Sequence, residues 1–360
     1  MSDLATVDFP PADASQLSPF EFWPGWIFYT PVVAYWIVLG LRYGDLSLPT
    51  AANPRISTGG LCGESKSSIL DQAGPAAKAW IARYSRFRTG SQDSARARLL
   101  MAKDGLSLPL VVKPDIGCNG TGVRLAENDQ ALTEALAAFP RDTDLVLQDL
   151  IPHDGEAGIF YIRHPRSAVG RITSLTHKRA PILFGDGKST IHTLVMADAR
   201  TRLVPHLYLP RLQSRLHEVP GPGVPVRLVF AGNHCKGSLF ANGASDITPA
   251  LNATIHRIMS DIPDFHFGRV DVRYENLASL RRGEGFRIIE VNGVGSEATH
   301  IWDPSTRLRD AYRIQFDHYR EAFEIGAAQR AAGARSSGLL RMMRDWRTQR
   351  RLMASYPLND

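Results

Sequence analysis

One stretch near residue 110 limits what this chain can fold into more than any other. Residues 110–123 read Leu-Val-Val-Lys-Pro-Asp-Ile-Gly-Cys-Asn-Gly-Thr-Gly-Val. The apolar run that ends at Lys113 is typical of a strand. The glycines behind it let main-chain N–H groups approach an anion without a Cβ in the way. This is neither a P-loop nor a dinucleotide-binding fingerprint. The stretch predicts a strand and a phosphate-binding loop, with an ordinary turn as the alternative.

A second pair of apolar segments carries acidic side chains far along the chain. Residues 268–272 contain Asp271, and residues 288–292 contain Glu290 and Asn292. Both segments have the pattern of a strand, and the two-residue period places Glu290 and Asn292 on one face. Two carboxylates and an amide oxygen suit Mg²⁺, which takes oxygen ligands and shares them with nucleotide phosphates. The sequence therefore predicts a magnesium site, with structural ion pairs as the alternative.

Composition excludes several classes of protein. The 360 residues are 44% hydrophobic and 22% charged, which is ordinary for a globular protein and excludes wholesale disorder. The net charge of +6 favours an anionic partner. Arginines are frequent between residues 83 and 98, but stacking aromatics are sparse there, so no nucleic-acid partner is predicted. Three widely spaced cysteines without metal-ligand spacing indicate reduced thiols in the cytosol.

The run from Phe22 to Leu41 contains no charged side chain. About 20 helical residues at about 1.5 Å each would cross the core of a bilayer. Pro24 and Pro31 leave room for a shorter helix that lies in the membrane interface, and a helix buried against the protein is the other alternative. Acidic residues ahead of the run and Arg42 behind it predict a body on the cytoplasmic side.

Composition shifts divide the chain into four parts. We predict a mobile arm and hydrophobic helix in residues 1–45, a short first region in 46–100, a main domain in 101–330 and a basic amphipathic tail in 331–360. In the main domain, apolar periodicity predicts helices over residues 129–139, 248–259 and 310–328. A further helix is predicted from Ser65 towards Tyr84. In the tail, leucines and methionines alternate with arginines, as in a helix on anionic lipid, and a solvated helix is the alternative.

These motifs occur in an order that resembles the ATP-grasp superfamily, in particular D-alanine:D-alanine ligases and amide ligases related to cyanophycin synthetase. The resemblance covers residues 103–304. It implies an α/β (α+β) fold in which two subdomains grip ATP, here with a shortened N-terminal domain and an added N-terminal hydrophobic helix. It also implies that Lys113 and Lys178 contact the phosphates of ATP and that Glu156 binds the ribose. The implied flap over the phosphates consists of Asn119, Gly120, Thr121 and Gly122. The implied adenine hinge consists of Gln148, Asp149, Leu150 and Ile151.

The resemblance also assigns the chemistry. It implies Asp271, Glu290 and Asn292 as metal ligands, with Mg²⁺ as the ion and Mn²⁺ as the alternative. Arg269 matches the arginine that stabilises an acyl phosphate. The segment after Asn292 departs from the D-alanine:D-alanine ligase pattern, which argues against D-alanine as substrate. Glu297 in that segment is predicted to bind or deprotonate an amine, and an ion pair with a nearby arginine is the alternative.

The predicted activity is an ADP-forming carboxylate–amine ligase with catalytic residues Arg269, Lys178 and Glu297. Its substrates are expected to be small-molecule or lipid-headgroup carboxylates and amines, and an anionic membrane surface is an expected partner. A kinase that stops at phosphorylation is the alternative, and a nucleotide sensor without catalysis is a third. The expected location is the cytoplasmic side of a membrane, peripheral or held by one anchor, or otherwise the cytosol. A homodimer is left open.

Overall fold

A computed structural model describes residues 17–18, 20–230, 232–233 and 236–360. The arm predicted at the N-terminus therefore lies almost wholly outside the described residues, as does Cys235. The helices are α1 (Gly25–Tyr43), α2 (Lys66–Leu70), α3 (Pro75–Lys78), α4 (Asp93–Asp104), α5 (Asp129–Ala137), α6 (Ile191–Ala197), α7 (Pro249–Ser260), α8 (Leu277–Arg281), α9 (Leu308–Ala331) and α10 (Leu339–Ser355). The strands are β1 (Tyr84–Arg88), β2 (Leu110–Pro114), β3 (Arg124–Ala126), β4 (Asp144–Asp149), β5 (Gly155–Ile162), β6 (Arg171–Arg179), β7 (Ile182–Phe184), β8 (Pro225–Arg227), β9 (Leu239–Asn242), β10 (Phe267–Tyr274) and β11 (Phe286–Asn292).

The strands form two principal antiparallel sheets and a small two-stranded sheet. The first sheet has the order β1-β4-β2-β3, and the second has the order β11-β10-β5-β6-β9. Strands β7 and β8, which are distant in sequence, form the two-stranded sheet. Strand β1 and most of helix α4 fall in the predicted region 46–100, yet they pack in the layer of the first sheet.

Each principal sheet buries one face against helices. Val112 and Leu147 of the first sheet pack against α4 and α5. Val270 and Ile288 of the second sheet pack against Ile255 and its neighbours on α7. On the opposite face of the second sheet, Phe160 and Phe267 pack against α9. The rest of that face carries Glu156, Arg269 and Asp271, which line a cleft.

Most of the predicted helices are confirmed, and their caps are visible in the sequence. The Asn128 side chain accepts a hydrogen bond from the N–H of Ala131 and begins α5, and Thr248 caps α7 in the same way. One predicted helix is wrong in extent. Ser65 does cap α2, but that helix ends at Leu70, and α3 begins only after Gly74. Glycine followed by proline interrupts the helical hydrogen bonds at this point.

Helix α1 packs lengthwise on α9. Phe28, Val32 and Leu39 are buried, and Gly44 ends the helix in the left-handed conformation with φ of 70°. By length and composition α1 is able to cross a membrane, a test that core helices also pass. The predicted N-terminal hydrophobic helix is therefore present, with one side covered by the protein.

Two glycine pairs join the first region to the end of β11. The N–H of Val294 donates to the Gly59 oxygen at 3.0 Å, and that of Gly295 donates to the Gly60 oxygen at 2.7 Å. A Cβ on Gly60 would lie 2.6 Å from the Cα of Gly293. The backbones thus touch directly, and only glycine fits at this contact. We call this contact the glycine seam.

Candidate active site

A cavity of about 540 Å³ lies between the two principal sheets. The first sheet contributes Lys113 and Gln148 to its wall, and the second contributes Lys178, Asp271 and Glu290. Lys113 connects the two walls, because its Nζ donates to Gln148 Oε1 at 2.8 Å and to the main-chain oxygen of Ile289 at 2.9 Å. Burial lowers the pKa of Lys113 to about 8. The phosphate lysine predicted from the sequence is therefore buried at the centre of the cleft.

Asp271 is surrounded by positive charge. Its Oδ1 accepts from Lys178 Nζ at 2.9 Å and from Arg269 Nε at 2.9 Å. Its Oδ2 accepts from Arg269 Nη2 at 3.1 Å and from Asn292 Nδ2 at 3.3 Å. Burial opposes ionisation, but Arg269 and Lys178 outweigh it and hold the pKa of Asp271 well below its usual range. The carboxylate therefore stays charged and paired at neutral pH.

The strand register explains this convergence. In the antiparallel pair of β10 and β11, Asp271 lies opposite Glu290 and Arg269 lies opposite Asn292. The register shifts after Asp271, and such bulges redirect side chains next to functional sites. Gly158 on the neighbouring strand leaves space for the cluster, since a Cβ there would lie 3.0 Å from Arg269 Cδ and 3.1 Å from Asp271 Oδ1.

The predicted nucleotide-binding residues line the same cavity. Glu156 lies opposite Lys178 in the strand register, and its Oε1 is 3.4 Å from Lys178 Nζ. The predicted adenine hinge lines the wall from Gln148 to Ile151, and Asp149 pairs with Arg83 at 2.7 Å. The structure therefore brings the hinge, the acid and the second lysine together, while their roles remain predictions.

Three of the four predicted flap residues reach the cavity. Asn119, Gly120 and Thr121 line it, and Gly122 does not. Gly122 instead occupies a turn at φ of 73°, where a Cβ would lie 2.9 Å from Pro114 Cγ. The local backbone conformation therefore explains why residue 122 is a glycine. Cys118 also lines the cavity, with its Sγ 3.6 Å from Met353 Sδ.

Glu297 also lines the cavity, and its carboxylate contacts neutral donors. Its Oε2 accepts from Tyr29 at 2.9 Å and from Gln315 at 2.8 Å, and its Oε1 accepts from Trp302 Nε1 at 2.8 Å. Arg269 donates to the main-chain oxygen of Glu297 at 3.2 Å. Among the described residues no arginine pairs with the Glu297 carboxylate, so the alternative of an ion pair is not observed there, and the role in binding or deprotonating an amine stays a prediction.

Sequence reasoning missed several residues of the site. A lysine in the first turn of a helix is usually solvated, but the Nζ of Lys66 donates to the Gly117 oxygen and lies 3.7 Å from Glu290 Oε1. Glu64 lies beside it, and burial raises the pKa of this carboxyl. Tyr29 from α1 lines the cavity as well. No local pattern points to these residues, because each reaches the site through contacts distant in sequence.

The tail helix reaches the mouth of the cavity. Trp346, Gln349 and Arg350 of α10 line it. Gln349 Oε1 accepts from the N–H of Gly63 at 2.8 Å, and the Tyr356 hydroxyl donates to the Ile116 oxygen at 3.0 Å. Helix α10 therefore lies across the entrance, next to the glycine-rich loop.

The predicted metal ligands fit a hard divalent cation by their chemistry. They supply two carboxylates and one amide oxygen on adjacent strands, and Mg²⁺ takes its remaining ligands from phosphate and water. In the described part of the chain, no three His, Cys, Asp or Glu side chains form a complete metal cluster. Lys178 and Arg269 both contact Asp271, so a cation held there would share this carboxylate with them.

No family model and no curated protein matches the chain. Solved structures do match it. A bifunctional glutathione synthetase from Pasteurella multocida is 15% identical with a TM-score of 0.35, over 70% of this chain and 36% of that chain. A D-Ala:D-Ser ligase from Enterococcus faecalis is 13% identical with a TM-score of 0.41, over 73% and 63%. A D-alanine–D-alanine ligase from Bacillus anthracis is 14% identical with a TM-score of 0.41, over 77% and 71%. The chain thus spans less than two thirds of the first two structures.

The architecture agrees with the fold predicted from the sequence. Two α+β units face each other across one cleft, the glycine-rich loop of the first unit covers it, and the acidic strands of the second form its floor. This is the arrangement that the resemblance to the ATP-grasp superfamily implies, with an N-terminal apolar helix added to it.

Proposed function

We propose that this chain is an ATP-dependent carboxylate–amine ligase that forms an amide bond through an acyl phosphate and releases ADP and phosphate. One observation carries the proposal. Lys113, Lys178 and Arg269 meet Asp271, Glu290 and Asn292 in a single cavity between the two sheets. Phosphoryl transfer to a carboxylate brings two anions together, and a buried cluster of cations offsets their repulsion.

The residues divide the work between them. Lys113 and Lys178 hold the phosphates of ATP, and Glu156 lies where it can accept from the ribose hydroxyls. The carboxylate substrate attacks the γ-phosphorus, the bond to ADP breaks, and Arg269 stabilises the charge on the acyl phosphate. An amine then attacks the acyl carbon, phosphate leaves, and the amine gives up a proton. Asp271, Glu290 and Asn292 would hold Mg²⁺ or Mn²⁺, which screens the phosphate charge when bound.

The proposed substrates are a small-molecule or lipid-headgroup carboxylate and an amine. The cavity volume of about 540 Å³ lies within the usual range of ligand sites. Tyr29, Glu64 and Glu297 line the part of the wall that has no nucleotide role in the proposal. These side chains therefore surround the proposed acceptor.

ADP release in the presence of candidate acids and amines tests the proposal, with mass spectrometry of the products. We expect a condensation product only when ATP, acid and amine are all present. Glu290→Gln should lower turnover by about 100-fold or more, since it removes a charge that acts at the reacting phosphates. Glu284→Gln is the matched control, because Glu284 is an exposed surface residue paired with Arg282.

Three outcomes contradict the proposal, each in its own way. A phosphorylated product without an amine requirement indicates the kinase. Nucleotide binding without turnover under any combination of acid and amine indicates a nucleotide sensor. Turnover that Glu290→Gln leaves unchanged means that the predicted metal ligands take no part in the reaction.

A further inference from the structure

Helix α1 has two unlike sides. Its inner side packs on α9, where the Tyr35 and Phe316 rings are 4.6 Å apart and the Trp36 and Phe323 rings are 5.2 Å apart. Its outer side is apolar and exposed, and Trp26 and Leu41 have 75% and 73% of their surface accessible. The other large apolar residues exposed on this side are Ile27, Val33, Ile37 and Val38. The helix is thus half covered by the protein along its whole length.

Both ends of α1 form polar contacts with the rest of the protein. Just ahead of it, Glu21 forms a buried ion pair with Arg200, and the Tyr29 hydroxyl donates to Glu297. At the other end, Arg330 donates to the Tyr43 oxygen at 3.1 Å. A helix that crossed a bilayer would have to leave these contacts and strand a buried charge. The helix therefore lies along the surface of the protein.

The first turns of α10 continue the exposed apolar side of α1. Leu41 of α1 lines one surface groove together with Leu339 and Leu340 of α10. Leu340 is 86% accessible, and Met343 follows it on the same helix. Leucines rarely stay this exposed next to each other on a soluble surface without a partner. We call the exposed residues of α1 and of residues 339–343 the apolar face.

Arginines border the apolar face. Helix α10 has five arginines and one aspartate, and Arg341 and Arg344 line the same groove as the three leucines. Arg42 follows Leu41 and is exposed. Apolar side chains edged by arginine and tryptophan match the boundary between lipid headgroups and acyl chains. A second copy fits less well, since a twofold contact would bring the arginines of both copies together.

We propose that the apolar face docks on the surface of an anionic lipid bilayer, with α1 lying in the plane of the membrane and not crossing it. This inference is independent of the proposed ligase activity, because it rests on contacts outside the cation cluster. The acyl chains cover the leucines and tryptophans, and the arginines contact lipid phosphates. Tyr29 and Trp346 come from the two docking helices, so the cavity opens beside the membrane.

Sedimentation with vesicles tests the docking. The full-length protein should bind vesicles of phosphatidylcholine with phosphatidylglycerol, and bind vesicles of phosphatidylcholine alone more weakly. The double variant Leu41→Glu with Leu340→Glu should lower the partition coefficient by about tenfold or more, because it removes two apolar contacts with lipid. Leu99→Glu is the matched control, since Leu99 is 73% accessible on α4, which packs with β1 and α5.

A second series tests the arginines. Arg341→Gln with Arg344→Gln should weaken binding to the anionic vesicles by about fivefold for each arginine and leave binding to phosphatidylcholine nearly unchanged. Arg98→Gln, on α4, should have no effect. All these positions are on the surface, so circular dichroism should show unchanged folding and any loss of binding can be assigned to the face itself.

The depth of α1 separates an in-plane helix from a spanning one. Val33→Trp and Leu41→Trp place a fluorophore at two outer positions about 12 Å apart along the helix axis. Lipids brominated at one acyl position should quench both added tryptophans equally if the helix lies in the plane. Unequal quenching overturns the in-plane orientation. Absence of vesicle binding overturns the docking, and self-association abolished by Leu340→Glu assigns the face to a second copy.

Discussion

Two carboxylates of the cavity, Asp271 and Glu297, are held in opposite ways. Asp271 is surrounded by Lys178 and Arg269 and is therefore kept charged by positive charge. Glu297 is held by three neutral donors from three separate elements. Charged partners can exchange for a metal ion or a phosphate, whereas a set of neutral hydrogen bonds fixes a position. We call the surroundings of Asp271 the reactive end of the cavity and those of Glu297 the structural end.

The largest effect is expected at the reactive end. Asp271→Asn removes the charge that Lys178 and Arg269 share, so ATP turnover should fall by about 100-fold or more. ADP release measures it. The control is Asp264→Asn, which removes a surface carboxylate paired with Arg55 and should leave turnover unchanged. Near-normal turnover in Asp271→Asn would contradict the assignment of this end.

The reactive end should also respond to pH through Lys113. Its pKa of about 8 lies below the ordinary value of 10.5 because the amine is buried. The charged form that attracts phosphate is present below about pH 8, so ATP affinity should fall above it, by at most about tenfold per pH unit. Fluorescence titration of ATP against pH measures this, and Lys113→Met should bind weakly with little dependence on pH.

The same pKa shift affects stability with a defined sign. Between about pH 8 and 10.5 the unfolded chain binds a proton at Lys113 that the folded chain has released. The contribution of Lys113 to the free energy of unfolding should therefore increase as pH rises through that window. Urea unfolding of the wild type and Lys113→Met across the window isolates this contribution, and identical slopes would contradict it.

A smaller effect is expected at the structural end. Glu297→Gln keeps the shape but turns an N–H towards one of the three donors, which should lower the free energy of unfolding by about 1–3 kcal/mol. Turnover should fall less than tenfold. A loss as large as that of Asp271→Asn would support the role in binding or deprotonating an amine that the sequence predicts for Glu297.

The smallest effect is expected from one donor alone. Tyr29→Phe should lower the free energy of unfolding by about 0.5–1.5 kcal/mol, since the other two donors to Glu297 remain. Urea unfolding measures it. Tyr312→Phe is the control, because its hydroxyl makes no hydrogen bond to the described residues while its ring also packs beside α1. Equal losses in both variants would mean that the hydrogen bond from Tyr29 to Glu297 adds nothing beyond the general cost of removing a hydroxyl.

The reactive end was predictable from the sequence because its residues lie on strands with regular alternation. A two-residue period places Glu290 and Asn292 on one face, and the observed register sets them opposite Asp271 and Arg269. The structural end was not predictable in the same way. Tyr29 and Glu297 are joined only by tertiary packing, and neither the apolar run around Tyr29 nor the segment around Glu297 indicates its partner.

Two local sequence patterns near residue 65 give an incomplete prediction. Ser65 correctly marks the start of α2, but the apolar period continues past Gly74 and so overstates the length of the helix. Lys66 has the pattern of a solvated lysine in a first turn, yet the loop after β2 brings the Gly117 oxygen to it as an acceptor. Sequence patterns describe single elements well, and they lack the long-range contacts that turn a surface lysine into part of a site.

The glycine seam has a consequence for redesign of this protein. The backbones of Gly59 and Gly60 rest on those of Gly293 and Gly295, so the loop that carries Glu297 shares its placement with the first region. Segments taken from another enzyme to change the acceptor must therefore be exchanged on both sides of the seam at once. In such a segment exchange, the stretches around residues 59–60 and 293–297 have to be replaced together.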